Sequence, residues 1–235
     1  MTSTRLPGKS LMKICNKTII DLIIERLRQC KKVDDIILAI PNTNQNDVLE
    51  EYANKLGCHY YRGSEEDVLS RYYQTARQFE ISEIVRVTGD CPLIDPILVD
   101  LMVEHYLNEK VDYAAIDVDN NFPRGLDAEI FSFETLEKVN TEAHRDYERE
   151  HVTPYIYEHP ELFKIRFMEA EKKLRRPELR LTVDTQEDFN LVREIFKNLY
   201  KEEQLFYTED VIDFLDSHPE LLLINKDVIQ KKLGE

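Results

Sequence analysis

The sequence contains no apolar run near the ~20 residues that a membrane-spanning helix needs, so we expect no transmembrane segment. Its first residues are polar and basic with no apolar segment behind them, so we expect no secretory signal peptide. Basic residues are few: 31 Lys and Arg stand against 46 Asp and Glu, a formal net charge of -15. This balance argues against a nucleic-acid or anionic-membrane surface, although a local basic cluster can still bind a small anion.

Cysteine is also scarce. The four cysteines (Cys15, Cys30, Cys58 and Cys91) are scattered and form no CxxC pair, which disfavours a disulfide framework or a zinc site and favours a reducing, cytoplasmic location. Repeats, low-complexity tracts and Gly/Ser linkers are absent. With 235 residues, 42% of them hydrophobic, the chain can bury a sizeable core. We predict one domain over residues 1–235 that ends in a helical tail over residues 208–235.

Strand and helix patterns alternate along the chain. Short apolar runs such as DIILAI and EIVRV are typical of buried strands, whereas TIIDLIIERLRQC places apolar residues at helical spacing. Further strands are predicted in CHYYRG, DYAAI, AEIFSF, LFKIRF and LRLTV. This alternation predicts an α/β fold with a mostly parallel sheet and helices on both faces. Ligands of such sheets bind beyond the carboxyl ends of the strands, which indicates where to look for chemistry.

The opening stretch MTSTRLPGKSLMKICNK holds four basic residues and no acid. Arg5 and Lys9 suit phosphate, and Gly8 allows the backbone to approach a ligand closely. The stretch is not a Walker A loop, because GxxxxGK[ST] is absent. A solvated basic terminus explains the same composition equally well.

Two predicted strands are each followed by an aspartate. RVTGDCPLID places Asp90 after one strand, and RLTVDTQEDF places Asp184 after another. Because the carboxyl ends of parallel strands share one edge, both carboxylates can converge on one metal ion, and Mg²⁺ is the natural choice. The alternative is that these acids cap the following turns and helices. The repetition of the pattern favours the metal site.

Two further stretches could contact a substrate. In YEREHVTPY, Glu148, His151 and Tyr155 fall near one helical face and could bind a polyhydroxylated molecule, although a solvated charged face has the same pattern. In FPRGLDAEIF, Arg124 could hold a carboxylate or phosphate and Asp127 could accept hydroxyl groups. An ordinary loop is the alternative for this second stretch.

A short acidic motif, Asp117-Val118-Asp119, follows the predicted strand DYAAI. It is similar to the metal-binding DxD of nucleotide-sugar glycosyltransferases. It also runs into Asn120-Asn121, a pair typical of a loop tip, and we favour the loop. A glycosyltransferase that releases a nucleoside diphosphate is therefore an alternative function.

Together, several stretches resemble the SpsF-like spore-coat polysaccharide cytidylyltransferases, relatives of CMP-Kdo synthetase and acylneuraminate cytidylyltransferase. They span nearly the whole chain in order: MTSTRLPGK, RGSEEDVLSRYY, VRVTGDCPLIDP, PRGLDAEIFSFETLE, EREHVTPYI, LRLTVDTQEDFNLV and FLDSHPELLLIN. The resemblance implies a Rossmann-like nucleotidyltransferase fold and Mg²⁺-dependent transfer of CMP from CTP to a sugar, with release of pyrophosphate. It places this reaction in cell-surface or spore-coat polysaccharide biosynthesis. By analogy with relatives, a homodimer is expected.

The resemblance also implies roles for particular residues. Arg5 and Lys9 would hold the triphosphate, and Asp90 and Asp184 the metal. The residues expected on the nucleotide side are Gly63, Ser64 and Asp67. Those expected to face the sugar are Arg124, Asp127, Glu150, His151 and Tyr155. The identity of the sugar does not follow from the resemblance.

One departure from the family is large. Family members begin with an apolar interior strand and Gln-Ala-Arg ahead of the residue that matches Met1, and this sequence lacks both. Each buried backbone group that loses its ladder partner costs about 1–3 kcal/mol, against about 5–15 kcal/mol for the stability of a whole domain. We therefore hypothesise that the native chain is slightly longer. A third possible function is that the chain, without this strand, is an inactive relative that only binds nucleotide or a partner enzyme.

Overall fold

The computed structural model describes residues 5–202 and 204–231. The strands within these ranges are β1 Lys13–Ile14, β2 Lys17–Thr18, β3 Ile37–Pro41, β4 His59–Gly63, β5 Glu83–Val87, β6 Tyr113–Ile116, β7 Ala128–Ser132 and β8 Ile165–Met168. The α-helices are α1 Ile19–Leu27, α2 Asp47–Leu56, α3 Val68–Gln78, α4 Pro96–Glu109, α5 Phe133–Glu142, α6 Asp146–His151, α7 Pro154–Glu158, α8 Gln186–Leu199 and α9 Thr208–Ser217. Residues 1–4 of the basic opening stretch and 232–235 of the predicted tail lie outside the described residues.

The strands form a split sheet. β3 pairs in parallel with β4, and a larger sheet has the order β5-β7-β6-β8. In this larger sheet β6 and β8 are parallel, whereas β7 runs antiparallel to both β5 and β6. β1 and β2 form a small separate hairpin. The α/β class predicted from the alternation is confirmed, with β7 as an antiparallel insertion between two strands of the parallel series.

Two apolar cores lie on opposite faces of the larger sheet. Alternate residues of β6 point to opposite sides, so Ala114 and Ile116 join one core while Tyr113 and Ala115 join the other. The first core also contains buried residues of α1, α4, α8 and α9, and the second those of α3, α5 and α7. Helices therefore cover both faces, as the sequence predicted. No helix in the described ranges is long and apolar enough to cross a membrane.

Polar caps fix where the helices near the site begin. The Asp95 side chain accepts from the Ile97 N–H at the start of α4, and the Thr185 side chain accepts from the Asp188 N–H at the start of α8. Pro96 occupies the first turn of α4, as its fixed backbone angle favours. The second Asp95 oxygen accepts the backbone N–H and the hydroxyl of Thr208, both at 2.8 Å. α9 is thereby attached to the beginning of α4.

The predicted strand LRLTV is wrong. Residues 179–183 form no strand and make only an isolated bridge, between Arg124 and Arg180. Their backbone bonds go to loops: the Leu181 N–H donates to the Arg124 carbonyl at 2.7 Å, and the Val183 N–H donates to the Asp90 carbonyl at 2.8 Å. This segment has the apolar pattern of a strand because its alternate side chains are buried. It holds the loops that carry Asp90 and Asp184 against each other.

A cleft of about 440 Å³ separates β3 from β5. Its walls are residues of these two strands and apolar side chains of α1 and α3. Among the described residues, β3 pairs only with β4, and β5 only with β7, so each strand has one unpaired edge. The interior strand predicted ahead of Met1 lies outside the sequence and stays a prediction.

Candidate active site

A polar cavity of about 700 Å³ opens at the carboxyl ends of β5 and β6. Its wall combines the segment before β1, the segments that follow β5 and β6, the start of β7, α6, and the loop before α8. Gln230 and Lys231 from the C-terminal segment also line it. The location agrees with the rule that ligands bind beyond the carboxyl ends of strands.

Lys9 lines the cavity and lies between two carboxylates. Its Nζ is 2.9 Å from Asp90 Oδ2 and 2.9 Å from Asp184 Oδ1. Burial alone would lower the pKa of Lys9, but the two carboxylates together raise it above 10.5, so the side chain is an ammonium. Gly8 makes this placement possible, because its φ of 72° turns the chain into the short 3₁₀ segment Lys9–Leu11.

Asp184 receives two further cations. Arg5 lies 3.0 Å from Asp184 Oδ2, and Arg180 donates to the same oxygen at 2.8 Å. Burial acts to raise the pKa of Asp184, but Lys9, Arg5 and Arg180 outweigh it and hold the pKa below 3.8. Arg180 was not predicted as a site residue. Its position four residues before Asp184 was the available signal.

Among the described residues, Asp90 caps no helix. Its Oδ1 accepts the Thr88 hydroxyl at 2.6 Å, and its Oδ2 accepts from Lys9. The capping roles considered as alternatives belong to Asp95 and Thr185 instead. Asp90 and Asp184 therefore meet at one ammonium, although they are 94 positions apart in the chain.

Arg124 and Asp127 also line the cavity, and their expected sugar-facing role stays a prediction. Arg124 pairs with the exposed Asp119 and lies 3.7 Å from Asp127 Oδ1. Asp127 Oδ2 accepts the Gly125 N–H at 2.6 Å, and burial raises the pKa of Asp127 above 3.8. Gly125 has a φ of 107°, and a Cβ there would lie 2.5 Å from the Leu181 backbone. Only glycine lets this loop approach the neighbouring segment so closely.

The cavity floor was missed by the sequence predictions. Glu129 Oε1 accepts the hydroxyls of Tyr113 at 2.6 Å and Thr153 at 2.7 Å, while Oε2 pairs with Arg86. Burial acts to lower the pKa of Arg86, but Glu129, with smaller contributions from Tyr72 and Tyr113, raises it above its ordinary value. Arg86 and Glu129 face each other across the β5–β7 ladder. A charged residue in the middle of each of two apolar strands, EIVRV and AEIFS, was the signal that could have revealed them.

Two of the three residues predicted in EREHVTPY reach the cavity. Glu150 and His151 line it, and burial lowers the pKa of His151 below 6.5. Tyr155 does not line it; its hydroxyl donates to Glu142 at 2.8 Å. The helix breaks at Val152, whose φ is 76°, so helical spacing does not continue from His151 to Tyr155. Tyr157 occupies the wall instead.

The stretch predicted to shape the nucleotide side lies outside the cavity lining. Asp67 caps α3 through the Ser70 N–H and pairs with Arg149 at 2.6 Å. The Ser64 hydroxyl accepts the Asp67 N–H at 3.0 Å. A Cβ on Gly63 would lie 2.8 Å from Arg71 Cγ. In this structure these residues organise the turn between β4 and α3, and their nucleotide-side role stays a prediction.

The DxD segment forms a loop, as favoured. Asp117 accepts hydrogen bonds from the Asn120 backbone and from the side chains of Asn120 and Asn121. Asp119 is engaged by Arg124. Both acids border the cavity, but these bonds hold the loop after β6 together.

Paired carboxylates and cations in a cavity beyond the carboxyl ends of the strands lie where α/β sheets of this kind bind their ligands. The family model described as Cytidylyltransferase matches residues 1–219, so the chain belongs to the cytidylyltransferase family. The protein is thus an enzyme of the nucleotidyltransferase type.

Three relatives support this membership. An uncharacterised protein of Methanocaldococcus jannaschii is 41% identical, covering 99% of this chain and 94% of its own. The spore coat polysaccharide biosynthesis protein SpsF of Bacillus subtilis is 34% identical, covering 94% and 92%. A solved cytidylyltransferase from Leptospira borgpetersenii superposes with a TM-score of 0.88 at 35% identity, covering 97% and 94%. The SpsF-like resemblance predicted from the motifs is confirmed.

Proposed function

We propose that this protein transfers CMP from CTP to a sugar and releases pyrophosphate, in the synthesis of a surface or spore-coat polysaccharide. The observation that carries the proposal is the meeting of Arg5, Lys9, Asp90 and Asp184 in one cavity. Family membership supports the cytidylyl group, and the name of the SpsF relative supports the polysaccharide setting.

The cationic side of the cavity suits a triphosphate. Arg5 offers a planar fork and Lys9 a point charge, and both are the usual phosphate-binding side chains. The transition state of nucleotidyl transfer spreads negative charge over phosphate oxygens. Positioned cations therefore accelerate the reaction by stabilising that charge rather than by covalent chemistry.

The two aspartates fit a divalent cation, which we propose to be Mg²⁺. Mg²⁺ at nucleotide sites is held by one or two carboxylates together with substrate phosphates. Within the described part of the chain, no group of three or more His, Cys, Asp or Glu is arranged to hold a metal alone. Asp90 and Asp184 would hold the ion with phosphate oxygens completing its ligands, and the ion supplies charge neutralisation when bound.

Other lining residues of the cavity suit a polyhydroxylated acceptor. Asp127, Glu150 and Tyr157 supply hydrogen-bonding groups, and Arg86 and Glu129 line the cavity as well. The attacking group would be a hydroxyl or carboxylate oxygen of the sugar. His151 is neutral at pH 7, because its pKa lies below 6.5, and can accept a hydrogen bond from that sugar.

Cys91 is adjacent to Asp90 but does not act as a nucleophile in this proposal. Its side chain is 1% exposed, and burial together with Asp90 and Asp127 raises the pKa of its thiol well above 9.0. The thiolate needed for attack is therefore not formed at neutral pH. Direct attack of the acceptor oxygen on the α-phosphorus requires no such intermediate.

The test is a screen of nucleoside triphosphates against neutral, amino and carboxylated sugars, with Mg²⁺ or EDTA, measured by pyrophosphate release. We expect release with CTP and one sugar class, and none in EDTA. Release of a nucleoside diphosphate from a nucleotide sugar would instead identify a glycosyltransferase. CTP binding with no turnover, both in this chain and in an N-terminally extended form, would identify an inactive relative.

A further inference from the structure

Lys9 occupies the position between Asp90 and Asp184 that a shared metal ion would need. Its ammonium takes one oxygen of each carboxylate, both at 2.9 Å. The other Asp184 oxygen is taken by Arg5 and Arg180, and the other Asp90 oxygen by Thr88. All four carboxylate oxygens therefore already accept hydrogen bonds from groups of the protein.

The Lys9 ammonium would lose these partners if a free ion displaced it. The side chain is only 15% exposed, and its ammonium donates hydrogen bonds to the two aspartates. A buried charge that loses its partners pays a desolvation cost, and a free cation would add its own repulsion to Lys9, Arg5 and Arg180. A bound triphosphate reduces both the desolvation cost of Lys9 and the repulsion between the cations. Its oxygens accept hydrogen bonds from Lys9 and also complete the ligands of the metal.

We infer that Lys9 is a resident counter-ion that closes the two aspartates to a free divalent cation, so that the site takes the metal together with its nucleotide. On nucleotide binding, the Lys9 ammonium passes from the carboxylates to the phosphate oxygens and the carboxylates become available to the metal. No covalent bond changes in this exchange. The inference rests on the proposed function, which supplies both the divalent cation at Asp90 and Asp184 and the triphosphate as the new partner of Lys9.

The test is a titration of Mn²⁺ into the nucleotide-free protein, followed by the electron paramagnetic resonance signal of the free ion. Lys9→Met keeps the length of the side chain and removes its charge, so we expect its Mn²⁺ affinity to exceed that of the wild type by about tenfold or more. Lys17→Met is the matched control, because Lys17 pairs with Glu25 at 2.6 Å outside the cavity lining. This control should bind Mn²⁺ as the wild type does.

Equal Mn²⁺ affinity in the wild type and Lys9→Met, including no binding by either, would overturn the inference. A wild-type measurement guards against a misfolded variant: millimolar Mg²⁺ alone should leave the melting temperature unchanged, whereas Mg²⁺ with CTP should raise it. Stabilisation by Mg²⁺ alone would also refute the inference. Pyrophosphate release by the wild type is scored separately, so failure of the counter-ion role is distinguished from failure of the proposed reaction.

Discussion

The polar cavity and the cleft between β3 and β5 differ in whether their polar groups have partners within the protein. In the polar cavity, oppositely charged side chains from distant segments pair with one another, with Lys9 held by Asp90 and Asp184. In the cleft between β3 and β5, apolar side chains face each other and two strand edges have no partner among the described residues. The charged side chains of the polar cavity are therefore paired within the protein, and we expect a charged ligand to replace these partners. The cleft, with its apolar walls and unpaired strand edges, resembles the interior of a sheet.

The difference matters because each cavity points to a different kind of occupant. Internal ion pairs keep a polar site folded while it is empty, and a charged ligand replaces them with bonds of the same type. Unpaired backbone edges can be satisfied only by another extended segment or by water. Charge substitutions should therefore affect catalysis at the first cavity, and added chain should affect stability at the second.

The largest expected effect is at Asp90. Asp90→Asn removes one carboxylate from the proposed metal site, and we expect pyrophosphate release to fall by about 10²–10³-fold, as for the loss of one charge-stabilising group. The matched control is Asp213→Asn, which breaks an exposed pair with Lys173. Full activity in Asp90→Asn, measured under the same Mg²⁺ and CTP conditions, would contradict the metal assignment.

A second prediction concerns the floor of the polar cavity. Glu129→Gln leaves Arg86 charged and without its carboxylate, so we expect a loss of about 3 kcal/mol in the free energy of unfolding, measured in urea. Glu209→Gln breaks an exposed pair with Lys173 and should cost less than about 1 kcal/mol. A loss at Glu129 no greater than that at Glu209 would show that the Arg86–Glu129 pair does not support the floor.

The cleft provides a third prediction. An apolar, β-branched extension as long as the five-residue β3, placed ahead of Met1, should raise the melting temperature by about 5 °C or more. A Gly/Ser extension of equal length is the control and should leave it unchanged. Hydrogen exchange in β3 and β5 should slow only in the apolar form. Identical melting and exchange in both forms would remove the cleft as the place of the predicted interior strand.

The smallest expected effect is the pH dependence of the Lys9–Asp184 cluster. The folded pKa of Asp184 lies below its ordinary 3.8, so its ion pairs contribute stability that is fully present above 3.8 and is lost as the pH falls through the folded pKa. We expect the stability advantage of the wild type over Asp184→Asn at pH 7 to shrink as the pH is lowered below about 4. If the difference in the free energy of unfolding, measured in urea, stays constant from pH 7 to pH 3, the ion pairs of Asp184 are not its cause.

Much of the fold could be predicted because strand length and helical spacing are local properties. Six of the predicted elements, the strands β3 to β8, depend on neighbours in sequence. The prediction of a strand in LRLTV was wrong because the same apolar sequence pattern occurs in a paired strand and in a buried segment without a paired neighbour. Pairing depends on a distant partner, which the local pattern does not contain.

The acidic pair of the candidate site was predictable from a local pattern, an aspartate shortly after an apolar run. Asp90 follows β5, whereas Asp184 follows a segment that forms no strand, and the structure still brings the two carboxylates together at Lys9. Tyr155 did not reach the cavity because the positive φ of Val152 ends the helix, and a valine gives no warning of such a turn. Arg86 and Glu129 lie inside strands, where their pairing depends on the register of β5 with β7.

The hydrogen bonds of Asp95 couple the local unfolding of two helices. One of its oxygens serves the first turn of α4, and the other serves the first residue of α9, Thr208. Breaking either contact leaves a buried carboxylate with a missing donor, so fraying of one helix weakens the start of the other. The two segments, more than a hundred positions apart, should therefore exchange their amide hydrogens as a single cooperative unit.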